Sequence, residues 1–358
     1  MIKRNLVLLS FVFIQCYVWA QEVQWKAGLN YFFDNTEYTR STIAKDQTMT
    51  GVHFSPQVGM AFDSVHSVFI GTDLLKTAGS ENFIDIAQPI AYYRFQNRKA
   101  LFYAGAFPRA DVLSNYSDLF FQDSINYYRP TLTGIFWQLG KKNSFFNAWL
   151  DWTGHQTAVN RESFFVGASA HKSLGLLFVD FQSYMFHYAT TRPDPLNLKV
   201  CDNLLAHLSV GLNYSNETGI DTLLLAIGAL AGGERDRGLA INGLYMPMGA
   251  VIRLQAEYKG IGTQNMMYVG DPRDVFYGNY NTGMYWNNPF LRSGFYLESK
   301  WYLDVIRSQS VLGKLSMNLQ FSQGKVMFEQ VLSIKAMLDN SRKMKIKLRP
   351  TLMSQWFK

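Results

Sequence analysis

The chain is short of the things that usually stabilise or anchor a protein of its size. It has two cysteines in 358 residues, Cys16 and Cys201, so a disulfide framework is excluded. Six histidines are scattered at positions 53, 66, 155, 171, 187 and 207, none at a metal-ligand spacing, and no metal or other cofactor is expected. Beyond the first twenty residues the longest apolar run, Leu223 to Ala231, falls far short of the ~20 residues a spanning helix needs. With a mean hydropathy of −0.08, a bundle of membrane helices is excluded as well. Linkers and low-complexity tracts are missing, so nothing divides the chain into domains. Lys and Arg are dispersed rather than clustered, which argues against nucleic acid as a partner.

What is present begins with an address. Met1-Ile2-Lys3-Arg4, the apolar stretch Leu6 to Ile14 and Val18-Trp19-Ala20 read as a basic, an apolar and a cleavage region. Residues 1–20 are expected to be a cleaved signal peptide, leaving 21–358 as one unit with Cys201 as its single thiol. Gln15, standing where a lipobox requires a small residue, argues against lipid attachment at Cys16.

Near the C-terminus the pattern is strict alternation. Val311, Gly313, Leu315, Met317, Leu319 and Phe321 alternate with Leu312, Lys314, Ser316, Asn318, Gln320 and Ser322. After Gln323-Gly324, Val326, Phe328, Leu332 and Ile334 stand against Glu329, Ser333 and Lys335. A third run sets Met344, Ile346 and Leu348 against Lys343, Lys345, Lys347 and Arg349. A period of two puts one class of side chain on each face of a strand. Runs of about twelve residues exceed the five or six of a soluble strand and suit a tilted strand crossing a bilayer. The apolar set is therefore expected to face lipid, and Glu329 and Lys335 the interior.

Similar segments recur from Gln24 to Val305, among them Val52–Phe62, Ala100–Phe107, Thr131–Leu139 and Ala250–Tyr258. The fold expected is all-β: a transmembrane, antiparallel up-and-down β-barrel of about 16 strands, within a range of 14 to 18. Asn97-Arg98 and Gly140–Asn143 read as periplasmic turns, and 34–47, 108–130, 190–203 and 259–292 as outer loops. A signal peptide, alternating strands and an apolar-patterned last strand resemble Gram-negative outer-membrane β-barrel proteins, porin-like in size. The resemblance is architectural and carries no sharp motif. It implies residence in the bacterial outer membrane, outer-membrane lipids as partners, and a channel for small polar solutes. A closed or plugged barrel with a binding (glycan), assembly or hydrolase role is the alternative.

Charged and aromatic residues concentrate between Phe107 and Glu162. Arg109, Arg129 and Arg161 against Asp111, Asp123 and Asp151, with Tyr127 and Tyr128, would focus a field across a narrow mouth. The plainer reading, which weighs more, is that the same residues rigidify one long loop by ion pairs and turns. Met266–Phe290, rich in Tyr and Trp, reads as a girdle or loop packing, with sugar stacking as the rival. Glu329, Lys345, Lys347 and Arg349 are expected to line the lumen, and the cationic face of Lys343, Lys345, Lys347 and Arg349 to give an anion preference. Catalysis has no support at this level: His207 with Ser209, or His155 near Asp151, lacks a visible third group. The expectation is a barrel that is not an enzyme.

Overall fold

The computed structural model describes residues 22–39, 41–141, 143–215, 217, 219–239, 243–276, 286–340 and 351–355. The expected signal peptide and Lys345, Lys347 and Arg349 lie outside the described residues. The strands are β1 (Glu22–Glu37), β2 (Gln47–Phe62), β3 (His66–Thr77), β4 (Ile86–Gln96), β5 (Ala100–Pro108) and β6 (Thr131–Lys141). They continue with β7 (Ser144–Gly154), β8 (Ser163–Leu174), β9 (Leu177–Tyr188), β10 (Cys201–Asn213), β11 (Thr222–Asp236) and the two-residue β12 (Leu244–Tyr245). The last are β13 (Met248–Tyr258), β14 (Ile261–Gly270), β15 (Phe295–Arg307), β16 (Val311–Ser322) and β17 (Lys325–Asp339). Each long strand pairs antiparallel with the next, and β17 pairs with β1 from Lys26↔Asp339 to Glu37↔Phe328. The result is a closed barrel of sixteen long strands.

Two strand assignments differ from the sequence reading. Ile261–Gly270, placed above in an outer loop, is β14. Its polar centre, Gln264-Asn265, masks the alternation. At the other end the barrel closes with β17, and Leu352–Gln355 forms a single 3-10 turn. That turn is held by the Leu352 amide on the Lys259 carbonyl, 2.9 Å.

Burial is inverted relative to a soluble sheet. Ile70, Val210, Ile227 and Leu315 are exposed, while Gln57, Asn147, Gln182 and Glu298 are buried. An apolar belt toward lipid and a polar lumen produce this pattern. The short turns, such as 97–99 and 175–176, lie at one end, and the long connections 109–130 and 189–200 lie at the other, with the described stretches 271–276 and 286–294. By the convention of such barrels the long-loop end is extracellular.

Two of those long loops turn inward. Leu113, Leu119, Phe120 and Ile125 of the first, with Trp286, Phe290 and Leu291 of the second, join a core inside the barrel. Strand residues Phe165, Tyr184, Phe186, Cys201 and Leu230 complete it. Trp286 lies edge-on to Phe165 and Phe186, with centroids at 4.5 Å and 4.8 Å. Sixteen strands would leave an aqueous channel. Here close-packed rings from the two inward loops fill much of the extracellular half, beside buried polar groups such as Asn203, Glu234, Arg273 and Asp274. The single thiol among the described residues, Cys201, is buried in that filling.

Candidate functional site

Below the loop 109–130 lies a lumen cavity of about 410 Å³. The wall beside it carries a flaw written in the sequence. Pro56 has no N–H to give, and the β2–β3 ladder skips from Phe54↔Leu74 to Gln57↔Gly71. At the gap, side chains take over. Asp73 accepts from His53 Nδ1 at 2.6 Å and from the Ser55 hydroxyl. A carboxylate only accepts, so the imidazole donates from Nδ1, and in the neutral ring the lone pair is on Nε2. His53 is 3% exposed, lines the cavity, and its Nε2 has no partner among the described residues. An oriented imidazole with a free Nε2 is the arrangement of a general base.

Across the cavity stands Arg109, also 3% exposed. Its Nη2 pairs with Asp151, its Nε donates to the Arg129 carbonyl at 3.1 Å, and its Nη1 has no partner among the described residues. Asn30 Oδ1 and Thr131 Oγ1, in the same lining, are likewise buried without one. Buried polar atoms normally find hydrogen bonds, so four of them around one cavity mark a place prepared for something polar.

Of the charged residues singled out in the sequence, Arg109 and Asp151 face each other directly, and the others have different partners. Each is held in a local contact. Asp111 pairs with Lys26 at 3.7 Å, Asp123 with Lys300 at 3.2 Å, and Arg109 with Asp151. Tyr127 stacks on Phe32 at 4.0 Å, the Tyr128 carbonyl accepts from Gln88, and Arg129 donates to the Thr153 carbonyl at 2.7 Å. Arg161 stands apart at the rim, over the Tyr188 ring at 3.8 Å and on the Ala189 carbonyl at 2.6 Å. Glu329 faces the interior and accepts from Asn318 at 2.9 Å. Neither histidine weighed for catalysis gains a triad: Ser209 accepts from Arg253, and Asp151 belongs to Arg109.

Two further histidine–aspartate pairs escaped the sequence reading. His171 bonds Asp180 at 2.6 Å and Ser173 at 2.9 Å, at the periplasmic end, so both its nitrogens are engaged. His187 bonds Asp202 at 2.7 Å on the outer wall near the extracellular rim, and Arg237 takes the other carboxylate oxygen at 2.8 Å. The partners are cross-strand neighbours, Asp202↔His187 and His171↔Asp180, so the signal lies in register and not in sequence spacing.

The barrel is similar to solved outer-membrane porins. Against a loop-deletion form of OmpT from Vibrio cholerae the TM-score is 0.53 at 7% identity, covering 88% of this chain and 99% of that one. Against OmpF of Salmonella typhi, solved with daunomycin, it is 0.50 at 9%, covering 88% and 97%. Against OccK2 (OpdF) of Pseudomonas aeruginosa it is 0.50 at 10%, covering 90% and 99%. Identities this low speak for the fold alone, an outer-membrane barrel. No curated protein sequence matches. The family described as "Lipid A 3'-O-deacylase-type" matches residues 20–352, nearly the whole chain. That match overturns the expectation of a barrel that is not an enzyme, and it points to hydrolysis.

Proposed function

The chain belongs to the Lipid A 3'-O-deacylase-type family, and from that premise we propose that it hydrolyses an acyl ester of an outer-membrane glycolipid in the lumen cavity. One observation carries the reading: an imidazole oriented by a carboxylate, its Nε2 free, facing a cavity shared with a buried arginine that has a free N–H. His53 Nε2 takes a proton from water as the water oxygen bonds to the acyl carbonyl carbon. The developing oxyanion is stabilised by the Arg109 Nη1 donor. The bond from that carbon to the sugar oxygen breaks, and the proton passes from His53 to that oxygen. The products are a fatty acid and a sugar hydroxyl. Asp73 fixes the tautomer and offsets the charge on the imidazolium. Ser55 donates to the second oxygen of Asp73, which limits rotation of the carboxylate.

A channel for small polar solutes is the weaker reading, because the extracellular half of the lumen holds the aromatic filling. The deciding measurement is mass spectrometry of lipid A after incubation with the protein in vesicles. Loss of one acyl chain with the native protein, and none with a folded His53→Ala variant, is the expected result. Full turnover by His53→Ala would move the reaction elsewhere, and loss with His187→Ala instead would place it on the outer wall.

A further inference from the structure

A lipid ester that reacts inside the barrel has to get there, and the wall is open at one seam. β4 and β5 pair only from Gln96↔Leu101 to Ala91↔Ala106. Above that, Ile86–Ile90 keep their partners on β3 but have none on β5. Extending the register sets Pro89 against Pro108, and neither has an N–H with which to build a ladder. Just below, Gly105 takes φ +120°, and a Cβ there would meet the Ala91 carbonyl at 2.3 Å, so only glycine fits at the last rungs of the pairing. After Pro108 the chain turns inward through Arg109–Asp111. About 16 Å of strand edge is left unpaired. Other interruptions are shorter, such as the two-residue skip between β2 and β3 at Pro56, while β1 and β2 pair without a break from Glu22↔Ala61 to Thr36↔Gln47.

At the gap lies a cavity of about 320 Å³, lined by Gln88, Pro89, Arg129, Thr133, Asp151 and Trp152, with Arg109 and Thr131. Arg109 and Thr131 also line the lumen cavity that holds His53, so the gap and the site are neighbours. The gap lies in the extracellular half, beside the outward Trp152 at the level where such rings meet headgroups.

We propose that the gap between β4 and β5 is a lateral portal by which an acyl chain of an outer-leaflet glycolipid reaches the lumen cavity, its anionic head held at Arg129. The proposal rests on the hydrolase reading, and its test separates the two. In a Cys201→Ser background, Pro89→Cys and Pro108→Cys are joined by a short thiol-cleavable bridge. Hydrolysis of lipid A in phosphatidylethanolamine vesicles is expected to slow at least tenfold and to recover on reduction. A short-chain ester in detergent, which can enter from the ends, is expected to react unchanged. Equal rates on lipid A with and without the bridge would overturn the portal and leave His53 its role. A second measurement needs no activity. A benzophenone side chain placed at Gln88 should cross-link to lipid A in the same vesicles, and one at Leu230, behind intact wall, should not. No lipid adduct at 88, or equal adducts at both positions, would overturn the portal even if no form of the protein hydrolyses anything.

Discussion

The two faces of this wall carry nearly the same chemical pair in opposite settings. In the lumen, His53 and Asp73 are both almost fully buried, with a second donor on the carboxylate and a cavity in front. On the outer wall, His187 and Asp202 are about a fifth exposed, and the second carboxylate oxygen goes to Arg237, itself half exposed. Trp152 and Phe164 continue that row, with centroids 5.0 Å apart, and Phe164 lies 4.9 Å from the His187 ring. The outer pair is embedded in an aromatic girdle, where polar groups meet headgroups and solvent. The inner pair sits in a low-dielectric enclosure, where an oriented dipole is worth far more. The comparison teaches that a dyad is defined by its surroundings and the partner it leaves free, not by its own distance.

The sharpest way to break the comparison is to remove each imidazole in turn. His53→Ala should lower lipid A deacylation by about 10²–10⁴-fold, the range of general-base catalysis, and His187→Ala by far less. Mass spectrometry of the released acyl chain checks it, and equal losses would erase the distinction. Next comes packing. Phe120→Ala, inside the filling, should cost about 3–5 kcal/mol. Phe146→Ala, exposed on the outer wall, should cost much less, because lipid chains fill the space it leaves. Denaturant unfolding in detergent micelles would report both.

Leu332 and Ser333 are neighbours on opposite faces of β17, so they test polarity directly. Leu332→Arg should cost about 2–4 kcal/mol near the membrane midplane, with little effect from Ser333→Arg. Heat-modifiable mobility on gels separates folded from unfolded barrel, and equal loss of the folded band would contradict the assignment of faces. The smallest effect should come from Arg237→Ala, since a half-exposed ion pair contributes only ~0–1 kcal/mol. A large drop in melting temperature for that variant would mean the outer row is structural.

Most of the wall was legible because a strand with lipid on one side repeats its chemistry every second residue. Val311–Ser322 and Val326–Ile334 state that rule plainly, and it gave the barrel, its strand number and its membrane. β14 was missed because Gln264 and Asn265 break the alternation at its centre. The site was scarcely legible. Arg109, Asp111, Asp123, Arg129 and Asp151 drew notice as a group, but not the ion pairs that divide them. His53 and Asp73 are twenty positions apart and become partners only once β2 and β3 are in register. Pro89 and Pro108 were visible as residues, but their meaning depends on standing opposite each other across a seam.

Cys201 turns the stopper into something that can be timed. It is enclosed by rings from the inward loops and the strands behind them, so a bulky thiol reagent reaches it only when that packing parts. Labelling measured against the rate for a small accessible thiol would give the fraction of time the loops stand open, a local opening free energy distinct from that of the whole barrel. A barrel of this kind therefore carries its own clock for how often the lumen breathes, and substrate in the bilayer would show whether occupancy slows it.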